Sequence, residues 1–205
     1  MSLPRREFGL LLGLALLAVP ASRPLAAQVS WNARLGATYA SAMVTDQIAG
    51  STVTLRPTIS PTLSVEAVLP LRTRTPLDGT AELTVTTGTL QSHQGDAVTR
   101  VAGMRTFALT AGIRGRFIPP LQWRAGIGLV TYATSQKAGV FQKGAPTRPL
   151  GTLAFEYERP LPTSLHLSAS LRYDIHGFTT KQLEANGYTG SQTVHRVTLS
   201  VGVGR

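Results

Sequence analysis

From Arg105 to Val203 apolar or aromatic side chains occupy odd positions while small, polar or charged ones occupy even positions, stretch after stretch. Phe107, Leu109, Ala111, Ile113 and Phe117 alternate with Thr110, Gly112, Arg114 and Arg116. Trp123, Ala125, Ile127 and Leu129 alternate with Arg124, Gly126 and Gly128, and Leu165 to Ile175 alternate with His166 to His176 in the same way. A period of two marks a strand whose faces meet unlike surroundings. Runs of roughly 10 to 14 such residues exceed the usual soluble strand and suit strands tilted across a bilayer.

Eight strands are predicted, over residues 30–43, 52–71, 80–91, 105–118, 121–135, 148–159, 165–178 and 193–204. The connections alternate between short, proline-rich turns (73–79, 119–120, 160–164) and longer polar loops (45–50, 93–104, 136–147, 179–192). This alternation predicts an all-β fold, an eight-stranded antiparallel up-and-down transmembrane β-barrel with both termini on the short-turn side. Pro57 and Pro61 each remove a ladder donor, so a bulge or break is expected in the second strand. Phe117 and Trp123 share parity, which requires an odd number of residues left outside the ladder around Pro119-Pro120.

Alternation alone does not say which face points inward. A soluble lipocalin-like barrel would enclose a ligand with its apolar face. The scarcity of lysine argues for the opposite orientation, because Lys137, Lys143 and Lys181 all fall in loops. Aromatic residues also gather near strand ends. Trp31, Phe117, Trp123 and Tyr157 lie toward the short turns and Tyr39 and Phe107 toward the long loops, as membrane-interface rings do. The polar face would then line the interior with Arg34, Arg56, Glu66, Glu82, Arg114, Arg116, Arg124, Glu156, Glu158, Arg172, Asp174 and Arg196. Unpaired charges there are costly, so these residues are expected to form a lumen ion-pair network that plugs the barrel, with Gly36, Gly112, Gly126, Gly128 and Gly202 making room for arginines. A gated polar path for small solutes is the other reading of the same residues.

Arg5 and Arg6 precede an apolar run from Phe8 to Val19 and small residues beyond Pro20, the layout of a secretory signal peptide. Residues 1–27 are assigned to it, with cleavage after Ala27 preferred to Ala21, and residues 28–205 to the barrel. Arg5-Arg6-Glu7-Phe8 also resembles a twin-arginine motif, but that route carries folded cargo and a membrane barrel travels unfolded. Cysteine is absent from the sequence, which excludes disulfides and thiolate metal sites.

The whole of 31–205 resembles, in pattern and strand count, the small eight-stranded outer-membrane β-barrels of Gram-negative bacteria, the OmpX, OmpW and OmpA-type class. That resemblance implies localisation in the cell outer membrane after export, a structural, adhesive or passive transport role, and recognition by the barrel-assembly machinery. Such barrels usually end in an aromatic residue, whereas this chain ends in Gly204-Arg205.

The formal charge is +10, and loss of three arginines and one glutamate with residues 1–27 leaves +8. An exported chain without a basic patch and stacking aromatics is not expected to bind nucleic acid. The expected partner is outer-membrane lipid, with lipopolysaccharide phosphates reached by Arg100, Arg105, Lys137, Lys143, Arg148 and Lys181. A monomer is expected, with no cofactor. Some eight-stranded outer-membrane barrels that this chain resembles modify lipid A through Ser, His and an acid. His176 or His195 with Asp174 and Ser170 or Ser191 are the candidates, but the two histidines lie on opposite faces, so no catalytic residue is assigned. His93, His166, His176 and His195 lack metal-ligand spacing.

Overall fold

The computed structural model describes residues 29–48, 51–71, 76–135, 141, 146–185 and 192–205; the segment assigned to the signal peptide lies outside them. Among the described residues there are ten antiparallel strands: β1 (Ser30–Ala40), β2 (Val44–Ile48), β3 (Ser51–Pro57), β4 (Ser60–Pro70), β5 (Leu77–Gln94), β6 (Ala97–Ile118), β7 (Leu121–Thr134), β8 (Thr147–Pro160), β9 (His166–Phe178) and β10 (Gln192–Gly204). One helical turn, α1, spans Lys181–Ala185. The sheet order is β2-β3-β5-β4-β1-β10-β9-β8-β7-β6, and a further β5–β6 pairing closes eight of the ten strands into a ring. β1 closes on β10 at the short-turn end, where Trp31 and Arg205 exchange two backbone hydrogen bonds of 2.9 Å.

Two strands more than expected arise at Pro57 and in the first loop. The predicted second strand is divided into β3 and β4 at Thr58-Ile59. Pro57 pairs with Leu90 while Thr62 pairs with Thr86, so one residue is gained in passing between the two ladders. That single residue reverses the facing of everything before it. Arg56, assigned to the lumen by parity, therefore points out of the barrel, is exposed, and donates from Nε to His93 Nε2 at 3.1 Å.

Residues 93–104 are not a loop. β5 and β6 run on to a tight turn at Gly95-Asp96, where Gly95 takes φ +56°, a conformation glycine adopts without the Cβ clash. This hairpin and the β2–β3 hairpin that pairs along β5 stand beyond the ring on the long-loop side.

The Pro119-Pro120 turn has only two residues between paired Ile118 and Leu121. Parity survives because Phe117 is skipped: Arg116 pairs with Gln122, which leaves an odd number of residues between the inward-facing positions.

Even positions point inward and odd positions outward around the ring. The strands curl tightly enough that side chains would collide with neighbouring backbone. A Cβ on Gly126 would lie 2.6 Å from the Ala111 carbonyl oxygen and 3.1 Å from the Gly112 Cα. These interior glycines thus admit the adjacent strand, not the arginines as the sequence suggested. Replacing Gly126 by Val should lower stability by about 1–3 kcal/mol, read as an earlier urea midpoint of the refolded protein.

Candidate functional site

The outer wall is apolar and exposed. Leu35, Ile127, Leu199 and Val201 are 63 to 76% exposed. A soluble barrel does not present such a continuous greasy face to water. Of the aromatic residues expected at the interface, Trp31, Tyr39, Phe107, Phe117 and Tyr157 lie exposed on this wall and Trp123 is half-exposed. Phe117 packs beside Trp123 with ring centroids 6.5 Å apart and stacks on Phe155 at 6.1 Å. Phe155 and Tyr173 also face outward, as their odd positions require.

Inside, charge replaces grease. Arg34 on β1 reaches Glu66 on β4 at 2.7 Å and Glu156 on β8 at 3.3 Å. Arg124 on β7 contacts Glu66 and Glu156, each at 3.4 Å, and also pairs with Glu82 on β5. Arg172 on β9 spans to Glu82 at 3.1 Å and holds Asp174 at 3.0 Å. No side chain in this cluster is more than 4% exposed. Arg196 is buried beside it and donates to the Thr86 hydroxyl at 3.1 Å. Four arginines thus face four carboxylates, and the Arg34–Glu156, Arg124–Glu66, Arg124–Glu82 and Arg172–Glu82 pairs cross the lumen between strands that are not neighbours in the ring.

Below the cluster, at the short-turn mouth, Arg114 pairs with Asp78 at 3.3 Å and with Glu158 at 3.0 Å. Gln122 donates to Glu158 at 2.7 Å, and Asn32 links this tier to the core by donating to Glu66 at 3.1 Å while accepting from His166 Nε2 at 2.6 Å. Asn32, Gln122 and His166 all occupy even strand positions, so parity would have found them; Asp78 was placed in a turn because β5 begins earlier than predicted. Arg116 lines the mouth but is exposed and has no ion-pair partner among the described residues, so it stands outside the buried network. Its position explains this: the ring has nearly ended and Phe117 already bulges from the ladder.

Above the cluster comes a belt of hydroxyls, in which Thr38 bonds Thr62 at 2.6 Å and Thr198 at 2.8 Å. Beyond it the interior is apolar, a feature the reading of a wholly polar lumen missed. Leu90, Met104, Val130, Leu150, Phe178 and Val194 point inward from the wall and are covered by Met43, Phe141 and Leu183 from the connections. Phe141 meets Phe178 edge-on at 5.9 Å, and Tyr132 meets it at 5.4 Å. Sequence did contain the signal: these wall residues are apolar at even positions near the long-loop strand ends.

The lipid A chemistry candidates do not assemble. His176 faces inward and shares a 2.7 Å hydrogen bond with the Tyr132 hydroxyl, while Asp174 faces Arg172. His195 faces outward against Tyr173. Ser170 is buried on β9 and Ser191 lies outside the described residues. Among the described residues no three His, Asp or Glu side chains are grouped to hold a metal ion.

No protein-family profile matches the chain, and no curated protein matches it in sequence. Solved structures do resemble it. Neisserial surface protein A superposes with a TM-score of 0.57 at 12% identity, over 86% of this chain and 95% of that one. OprG from Pseudomonas aeruginosa gives 0.47 at 13% identity over 86% and 95%. Ail, the attachment invasion locus protein of Yersinia pestis, gives 0.47 at 10% identity over 87% and 99%. The likeness to the Neisserial protein is one of fold: the chain has the architecture of the small outer-membrane β-barrels.

Proposed function

We propose that this chain, exported by the signal peptide assigned to residues 1–27, is a monomeric outer-membrane barrel of a Gram-negative cell. Its role is structural or adhesive: a membrane anchor that holds the β2–β3 and β5–β6 hairpins outside the cell. The observation that carries this reading is the double closure of the lumen. Three arginines and four carboxylates bridge the interior from wall to wall, and an apolar cluster seals the long-loop end. Passage of a solute would require breaking buried ion pairs whose separated members are each expensive to leave unpaired. That cost weighs against the passive-transport role.

The basic residues near the long-loop rim support lipopolysaccharide phosphate as a lipid partner. Arg105 is exposed at an outward position two residues from Phe107, and Arg100 and Lys181 are exposed beyond it. Arg148 is already engaged, donating to the Thr179 carbonyl at 2.7 Å, while Lys137 and Lys143 lie outside the described residues. Insertion by the barrel-assembly machinery would read β10, which alternates correctly up to Gly204.

Refolded mature protein should show heat-modifiable gel mobility and no stepwise conductance in planar lipid bilayers. Unitary conductance steps from the folded form would overturn the anchoring role and favour solute passage. A mature chain that stays in water without detergent would favour the lipocalin-like alternative.

A further inference from the structure

At the short-turn mouth the ring opens into a cavity of about 310 Å³ that the plug does not occupy, and its walls carry recognition chemistry of their own. Pro119 and Pro120 form a rigid apolar side. Facing it are Arg116, Gln122, Glu158 and His166. Arg116 is exposed and has no carboxylate within ion-pair distance among the described residues, since Asp78 and Glu158 are both taken by Arg114. Gln122, its direct register partner, is 5% exposed and donates to Glu158, yet its Oε1 accepts no hydrogen bond. A buried amide acceptor without a donor is destabilising unless something supplies one.

We propose that this mouth is a binding site for the carboxylate end of a peptide. The terminal carboxylate pairs with the Arg116 guanidinium, whose planar fork fits it with two parallel hydrogen bonds. The preceding backbone N–H supplies the missing donor to Gln122 Oε1, after a small rotation of that amide toward the cavity. A short apolar side chain rests on Pro119 and Pro120. Sulfate would satisfy Arg116 but would offer no donor to Gln122, and the neighbouring Glu158 would repel a doubly charged anion such as sulfate or hydrogen phosphate. The acceptor and the acid therefore select a ligand with one carboxylate and an adjacent N–H. This site rests on the barrel reading above, which puts the short turns on the periplasmic side, where soluble peptides and the stem peptides of the cell wall both carry such ends.

The test is a titration of the refolded mature barrel in detergent with N-acetyl-alanyl-alanine and with its C-terminal amide, followed by NMR line broadening of the peptide. The free acid should bind, and both the amide and the Arg116→Ala variant should lose about tenfold or more in affinity, as expected for one charge-assisted contact. Gln122→Leu should also weaken binding of the acid, and Arg159→Ala, an exposed position outside the cavity, should alter nothing. Equal binding of acid and amide, or an unaffected Arg116→Ala variant, overturns the site. Co-sedimentation with isolated peptidoglycan sacculi that depends on Arg116 would identify the wall as the source, whereas binding of soluble peptide without co-sedimentation would identify free peptides. Heat-modifiable mobility of the same samples reports the barrel separately: retained mobility with no binding removes the peptide site alone.

Discussion

Replacing Glu82 by Gln should cost about 3–5 kcal/mol of stability, the loss expected when one member of a buried ion-pair cluster is neutralised and its partners stay charged. Glu82 is the hinge of the network. It accepts from Arg172 at 3.1 Å and pairs with Arg124, so its carboxylate joins β7 and β9 to β5 across the lumen. Glutamine keeps the shape and removes the charge, leaving four buried arginines against three carboxylates. The midpoint of urea unfolding, followed through Trp31 and Trp123 at the short-turn end, should fall without a change in slope. A second substitution separates cohesion from charge imbalance. In Glu82→Gln with Arg124→Met, Arg34 still holds Glu66 and Glu156, and Arg172 still holds Asp174. Three arginines then face three carboxylates, so the double variant should recover much of what the single variant loses. Burial of a pair is not by itself stabilising, and an apolar methionine is an adequate filler. A Glu82→Gln midpoint equal to the parent, or a double variant that merely adds two losses, would show that the cluster does not hold the barrel together.

The fold was legible because alternation survives in every strand of the ring, and period two fixes facing once one residue is placed. Parity placed Arg34, Glu66, Glu82, Arg124, Glu156, Arg172 and Asp174 on the inner face, and in the structure they form one contacting cluster. It failed where one residue is inserted. The extra residue between β3 and β4 turned Arg56 outward, and the proline positions announced a break without saying whether it carried an odd or an even count. At Phe117 the opposite happened: a bulge rescued the facing that a two-residue turn would have reversed. The Gln94-Gly95-Asp96-Ala97 turn was readable in principle, since glycine followed by aspartate between residues of strand character is a hairpin signal. The residues before it are polar, and neither flank has a buried face to enforce alternation, so the hairpin carries no period-two signal. The apolar cluster near the long loops escaped notice for a different reason. An inward Val194 or Val130 breaks the polar half of the pattern, which alone looks like noise until the ring brings such residues to one level.

A lysine at position 127 discriminates lipid from water on the outer wall. Ile127 is 76% exposed, midway along β7, with Ala111 and Gly151 as its neighbours on the adjacent strands. If water bathed this wall, an exposed isoleucine opposite small residues on both sides would tolerate lysine within about 0.5 kcal/mol, the usual range for surface substitutions. In hydrocarbon the same change puts an ammonium near the middle of the apolar band, at a cost of about 2–4 kcal/mol. The small neighbours leave the charge without a polar group to lie against. Val98, 53% exposed on the β5–β6 hairpin beyond the ring, supplies the matched control. Val98→Lys should be neutral in the same unfolding measurement, made in lipid vesicles, because that hairpin stands in water under either orientation. The difference between the two variants therefore isolates the membrane contribution from the intrinsic penalty of lysine in a strand. Equal, small effects at 127 and 98 would mean that the exposed leucines, isoleucines and valines of the wall do not face lipid, and the bilayer-spanning assignment would fall with them.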